Sequence, residues 1–185
     1  FAVQECDLLL ILGSRLSQST TGYYPDHLAP GAVRILVDID EKELSKGDVP
    51  VDISIHRDLK TFLEEMLLLS VNWKSNAHAE WLSHCHGNMK KYPVVDPSYE
   101  KEDGINSYYF TKLLSENAPE NVSVVVDTGS VCNVVSQSWL LKQNQKYLIS
   151  GGFSSMGFWA AAVGAAAHGE VIALSGDGAT QMNVQ

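Results

Sequence analysis

No basic block runs through this sequence. Its 13 lysines and arginines are scattered among 22 acids, for a formal net charge of −9 over 185 residues. Nucleic acid and anionic membrane are therefore not expected partners. A phosphate ligand has to be held by backbone N–H groups, a metal or single side chains. Cysteine is scarce: Cys6, Cys85 and Cys132 are far apart and lack metal-ligand spacing. They read as free thiols in a reducing compartment, which makes a cytoplasmic location the expectation. Long apolar runs are also missing. Residues 8–12 are too short to span a bilayer, and 160–167 are short and mainly Ala and Gly. Residues 1–20 hold no basic region followed by a cleavage site, so no signal peptide is expected. No Gly-x-Gly-x-x-Gly follows the first strand of either half, which disfavours a plain nucleotide-binding module. The chain begins without Met and stops where a helix should continue, so both ends read as cuts in a longer protein.

What is present is an α/β pattern. Residues 7–12 read as a buried strand ending at Gly13-Ser14-Arg15, and residues 34–40 as a second strand with acids at its carboxyl end. A short helix over 41–46 and a third strand over 51–55 follow. Asp58 is placed to cap a helix reaching about residue 69. Its apolar residues Leu59, Phe62, Leu63, Met66 and Leu67 predict one continuous buried face. This alternation implies a parallel sheet, whose ligands bind at the carboxyl ends of the strands. Arg15, Asp38 and Asp40 sit there. Their functional reading is nucleotide contact, and their plain reading is solvated strand-end charge.

Residues 77–91 predict a helix with Trp81, Cys85 and Met89 on one face and Leu82 beside them. His78, His84 and His86 read as polar, solvated side chains rather than a metal site, because adjacent residues of a helix do not share a face. Two prolines and the charged run Glu100-Lys101-Glu102-Asp103 then mark an exposed linker over 93–104. The expected domains are 1–70, a connector over 71–104, and 105–185.

In the last segment a helix capped by Asn106 or Ser107, with Tyr109, Phe110, Leu113 and Leu114 on its face, precedes a β-branched strand over 122–126. That strand ends at Asp127-Thr128-Gly129-Ser130. A helix over 131–140 has Trp139 packing inward. Strands over 147–150 and 171–175 end at Gly151-Gly152 and Gly176-Asp177-Gly178, with a small-residue helix over roughly 156–168 between them. If the three strands are parallel, the three glycine turns meet on one sheet edge. Gly176 and Gly178 would let backbone approach a phosphate. Free N–H groups at Ala179 and Thr180 would donate to it, and Asp177 would ligate Mg²⁺.

These residues resemble a known family. Ser150-Gly-Gly-Phe-Ser-Ser-Met-Gly-Phe158, the Ala/Gly helix, Val171-Ile-Ala-Leu-Ser-Gly-Asp-Gly178 and Gln181-Met-Asn-Val-Gln185 look like the thiamine-diphosphate enzymes of the acetolactate synthase group. Cys6 through Arg15, Thr21-Gly22, Val37-Asp-Ile-Asp40 and Val49-Pro-Val-Asp52 look like that group's central domain. The resemblance implies two partial Rossmann-like domains: the back half of a central domain and the first half of a diphosphate-binding domain.

It also implies the chemistry. Asp177 would be the first protein ligand of Mg²⁺, with Gly176, Gly178 and Ala179 at the diphosphate and Gly129 and Ser130 beside them. The loop at Ser154, Ser155 and Met156 would meet the aminopyrimidine, with Met156 holding the cofactor bent. The parent would decarboxylate a 2-oxo acid such as pyruvate and transfer the resulting carbanion to an acceptor. FAD is implied for some relatives, with Arg15, Asp38 and Asp40 as its contacts here. The activating Glu and a second metal ligand would lie outside this chain, on a homodimer or homotetramer, leaving the isolated chain inactive. Gly129-Ser130-Val131 stands where the synthases carry Gly-Gln-His, Ser154 stands where they carry Gly, and Trp159-Ala-Ala stands where they carry Gly-Leu-Pro. The alternatives are another thiamine-diphosphate decarboxylase or carboligase, or a non-catalytic piece that binds no cofactor.

Overall fold

The computed structural model describes residues 1–73 and 78–185. The chain divides into two compact units, Phe1–Lys91 and Tyr92–Gln185.

In the first unit the order is α1 (Ala2–Glu5), β1 (Leu8–Leu12), α2 (Gln18–Thr21), β2 (Val33–Asp38), α3 (Glu41–Ser45), β3 (Ile53–His56), α4 (Leu59–Leu69) and α5 (Ala79–Lys91). The three strands form a parallel sheet in the order β1-β2-β3. Ile11, Leu16, Leu28, Leu36 and Val49 make its core. Asp58 caps α4 as expected, its carboxylate accepting from the Thr61 N–H at 3.1 Å. The expected α4 face is narrower than the spacing implied. Phe62 is buried and Leu59 and Met66 are half-buried, but Leu63 and Leu67 are exposed. On α5, Trp81 and Cys85 are half-buried while Leu82 and Met89 are exposed. The expected helix start at Ala77 lies outside the described residues. His84 pairs with Glu5 across 2.6 Å and stacks on Trp81. Among the described residues no three His, Cys, Asp or Glu side chains are grouped to hold a metal.

The second unit runs α6 (Ser107–Asn117), β4 (Ser123–Val126), α7 (Ser130–Ser138), β5 (Lys146–Ile149), α8 (Ala161–Ala166), β6 (Val171–Leu174) and α9 (Asp177–Met182). Its strands are parallel in the order β5-β4-β6, with β4 central. Val124, Val125 and Val126 are buried, as a central strand covered on both faces requires. Val122, Val135, Trp139 and Ala118 complete the core. Asn106 caps α6 by accepting from the N–H groups of Tyr108 and Tyr109.

The buried face of α6 differs from the expectation. Thr111 and Ser115 are buried, whereas Phe110 and Leu113 are exposed. Small side chains let α6 lie close to α7, and the Ser115 hydroxyl stays satisfied by donating to the Lys112 carbonyl at 2.9 Å. The small-residue helix is also shorter than expected. Phe158–Ala160 is a 3-10 turn, and α8 begins only at Ala161. No described helix is long and apolar enough to cross a membrane.

Candidate functional site

Parallel pairing brings the three glycine turns of the second unit to one edge. Val126 is in register with Ile149 on one side and with Leu174 on the other. The next residues, Asp127, Ser150 and Ser175, therefore leave the sheet from the same row. Gly129, at φ +105°, is the N-cap of α7, and Ser130 is its first residue. Both are exposed. Gly176 is the N-cap of α9, so Asp177 and Gly178 already belong to that helix.

This corrects one expectation about free amides. The Thr180 N–H donates to the Gly176 carbonyl at 2.9 Å and is not free for a ligand. The donors of the first turn are those of residues 177–179, one position earlier. Asp177 and Gly178 are exposed, while the Ala179 side chain is buried.

The loop between β5 and α8 lies against this turn. Ser154 holds φ +49°. The Ser155 N–H donates to the Ser150 hydroxyl at 3.1 Å, and the Ser155 carbonyl accepts from the Thr128 hydroxyl at 3.2 Å. Met156 is 48% exposed. Its Cε lies 3.7 Å from the position a Cβ on Gly178 would occupy. A Cβ at 178 would therefore stand in ordinary van der Waals contact with the methionine methyl, which shows how near Met156 lies to the turn.

The organising residue of the edge is Asp127, and the sequence reading did not include it among the site residues. Its side chain is fully buried, at 0% exposure. Oδ1 accepts from the N–H groups of Thr128 (2.7 Å) and Gly157 (3.0 Å). Oδ2 accepts from the Trp159 N–H (2.9 Å) and the Ser175 hydroxyl (3.3 Å). Burial pushes this carboxyl up, but the amides of Trp159, Thr128, Gly157 and Phe158 outweigh it and hold the acid below its ordinary range. Two further bonds tie the loop to α9. The Trp159 indole donates to the Thr180 carbonyl at 3.2 Å, and the Asn183 side chain donates to the Gly157 carbonyl at 2.8 Å.

In the first unit, Arg15, Asp38 and Asp40 all lie at the carboxyl end of the sheet. Asp38 accepts from the Asp40 N–H at 2.8 Å, and Asp40 caps α3 by accepting from the Lys42 N–H at 2.9 Å. Arg15 pairs with Glu43 at 3.3 Å, and Lys46 bridges Glu43 and the Arg15 carbonyl. The nucleotide candidates therefore all have local partners.

Comparison with known proteins agrees with this geometry. The family described as "Thiamine pyrophosphate enzyme, central domain" matches residues 1–66, and "Thiamine pyrophosphate enzyme, C-terminal TPP binding domain" matches residues 127–185. The chain belongs to the thiamine pyrophosphate enzymes. Among its relatives, the acetolactate synthase isozyme 1 large subunit of Escherichia coli is 30% identical over 189 residues. The probable acetolactate synthase large subunit of Methanocaldococcus jannaschii is 31% identical over 195 residues, and the acetolactate synthase large subunit of Cyanidium caldarium 32% over 195. Each alignment covers 100% of this chain and 32% of the relative. The chain thus spans about a third of the length of the curated relatives it matches.

The edge suits the diphosphate of a thiamine pyrophosphate enzyme. A Cβ at Gly129 or Gly176 would meet nothing within 4 Å, so the backbone there is open to a ligand. Asp177 is an exposed carboxylate beside that backbone, and Met156 presents an apolar side chain above Gly178. Asp177 alone does not complete a metal site, since Mg²⁺ takes several oxygen ligands.

Proposed function

We propose that this chain is part of a thiamine-diphosphate- and Mg²⁺-dependent enzyme that decarboxylates a 2-oxo acid such as pyruvate and transfers the resulting carbanion to an acceptor. The observation that carries the reading is the convergence of the Asp127–Ser130, Ser150–Met156 and Ser175–Ala179 turns on one edge, with Met156 over Gly178. Gly129, Ser130, Gly176, Gly178 and Ala179 would hold the diphosphate by their backbone and small side chains. Asp177 would bind the Mg²⁺. Ser154, Ser155 and Met156 would border the aminopyrimidine. Bound there, the cofactor supplies an electron sink that stabilises the carbanion left by loss of CO₂. The chain's own residues bind and orient it. The domains implied are the back of a central domain over 1–70, a connector over 71–104, and the front of the diphosphate domain over 105–185, in a cytoplasmic homodimer or homotetramer.

Departures from the synthase pattern favour a second reading within the same chemistry. Ser130-Val131 replaces the synthase Gln-His at the diphosphate turn, and Ser154 replaces a glycine of the loop. A decarboxylase or carboligase with a different acceptor accommodates both changes. The flavin reading is the weakest, because Asp38 and Asp40 fasten backbone and Arg15 pairs with Glu43. A flavin absorbance band purifying with the parent would reinstate it.

The test is calorimetry on the full-length parent. Thiamine diphosphate should bind only with a divalent metal, and Asp177→Ala should abolish binding without changing the melting temperature. Unchanged affinity in that variant would sink the metal assignment.

A further inference from the structure

Asp127 lies too deep to touch a ligand, yet it joins every segment of the edge. Its donors come from the end of β4 (Thr128), from the loop before α8 (Gly157 and Trp159) and from the end of β6 (Ser175). Each carboxylate oxygen takes two of them. The loop residues held this way flank Met156 on its carboxyl side. On its amino side, Ser155 is held by Thr128 through the threonine hydroxyl. Met156 is thus fixed at both neighbours while its own side chain remains half exposed. The Thr180 hydroxyl lies 3.0 Å from the Ser175 oxygen and 2.8 Å from the Gly176 carbonyl, and its single proton can be given to either acceptor.

We infer that Asp127 is a positioning residue: its buried carboxylate sets the Met156 loop against the Gly176-Asp177-Gly178 turn before any ligand arrives. The inference rests on the thiamine-diphosphate reading above, under which Met156 serves the ring end of the cofactor and the turn serves the diphosphate end. Only an acceptor at both oxygens performs this task. An asparagine points its NH₂ group either at two backbone donors, the Thr128 and Gly157 amides, or at one, the Trp159 amide, beside a Ser175 hydroxyl that can turn to accept; in both orientations at least one loop amide faces a donor. The loop would then retreat from the turn, while the turn, secured by its own bond from the Thr180 N–H to the Gly176 carbonyl, would stay in place. A ligand that touches both halves should suffer and a ligand that touches only the turn should not.

The experiment compares thiamine diphosphate with inorganic pyrophosphate, each with Mg²⁺, on the full-length parent. Asp127→Asn should weaken thiamine diphosphate roughly tenfold or more and pyrophosphate by less than about twofold. Met156→Ala should show the same selectivity, and the double variant should be no weaker than the worse single one, because both changes act through one contact. Equal loss of both ligands, or loss of neither, would overturn the inference. Should Asp127→Asn fail to fold, amide exchange on the unaltered parent supplies a second measurement. The Gly157 and Trp159 amides should exchange slowly without ligand and no more slowly with it. Fast exchange that slows only on adding thiamine diphosphate would also overturn it. Failure of the unaltered parent to bind thiamine diphosphate would overturn the function proposed above and not the clamp, which exchange judges without ligand.

Discussion

The Asp127 carboxylate accepts a 2.9 Å hydrogen bond from the backbone N–H of Trp159, across 32 residues of sequence. Together with the bond from the Gly157 N–H, it sets where the loop before α8 turns over. Removing the carboxylate would take the acceptor away from three backbone amides and the Ser175 hydroxyl. Asp127→Ala should therefore destabilise the second unit by about 3–5 kcal/mol, within the range for breaking a buried charged network. Denaturant unfolding measures this directly, and a loss below about 1 kcal/mol would show that the network relaxes freely.

The same carboxylate predicts an acid-sensitive fold. Its folded-state pKa lies below the ordinary value, with the amides of Trp159, Thr128, Gly157 and Phe158 outweighing the burial that pushes it up. Below its unfolded pKa, near ~4, the unfolded chain binds a proton that the folded chain refuses. Stability from Asp127 is therefore fully present above that pH and is lost as pH falls through the lowered folded value. The stability gap between the unaltered protein and Asp127→Asn should be constant at neutral pH and shrink only on the acid side. Unfolding midpoints taken across that range check the sign; a gap that widens in acid would contradict it.

Ser154 is a strained position. It holds φ +49° without being glycine, a conformation that sets Cβ against the following carbonyl. Ser154→Gly should relieve that strain and stabilise the protein by about 0.5–1 kcal/mol after the added flexibility of the unfolded chain is subtracted. A lowered melting temperature would mean that the Ser154 hydroxyl makes a contact worth more than the strain.

Gly157 is the opposite case. It sits at φ +89°, and a Cβ there would lie 2.5 Å from the Asn183 Nδ2 and 3.1 Å from the Met182 Cβ. Gly157→Ala should push α9 off the loop at a cost of about 2–3 kcal/mol. The Asn183 to Gly157 bond should be lost, visible as a shifted Asn183 side-chain amide resonance.

Much of this architecture was legible in the residues, and the reason is periodicity. Short β-branched runs such as Val124-Val125-Val126 read as buried strands, and the glycines after each strand marked the edge where the turns meet. Asp127 was not legible as a hub. An acid after a strand usually meets solvent, and its donors are main-chain amides 30 and 32 residues away that carry no side-chain signature. The face of α6 is legible only in part, for a related reason. Of the expected face, Leu114 packs on the core and Tyr109 is half-buried, while Phe110 and Leu113 are exposed and the small Thr111 and Ser115 take the buried places, which apolar spacing alone does not point to.

The remaining prediction concerns activity. Asp177 is the one acid on the ligand edge that is exposed, since Asp127 is buried and committed to its four donors. No group of three metal-binding side chains occurs among the described residues. A single carboxylate with a diphosphate leaves Mg²⁺ short of protein ligands. A carboxylate held by four donors is in turn a poor proton-transfer group, because its pKa is driven away from neutrality. The isolated 185-residue chain should accordingly release no CO₂ from pyruvate when supplied with thiamine diphosphate and Mg²⁺, whereas the full-length parent should decarboxylate a 2-oxo acid. Coupled detection of CO₂ from both proteins decides the matter. Measurable turnover by the isolated chain would mean that a catalytic acid–base group lies within these residues after all.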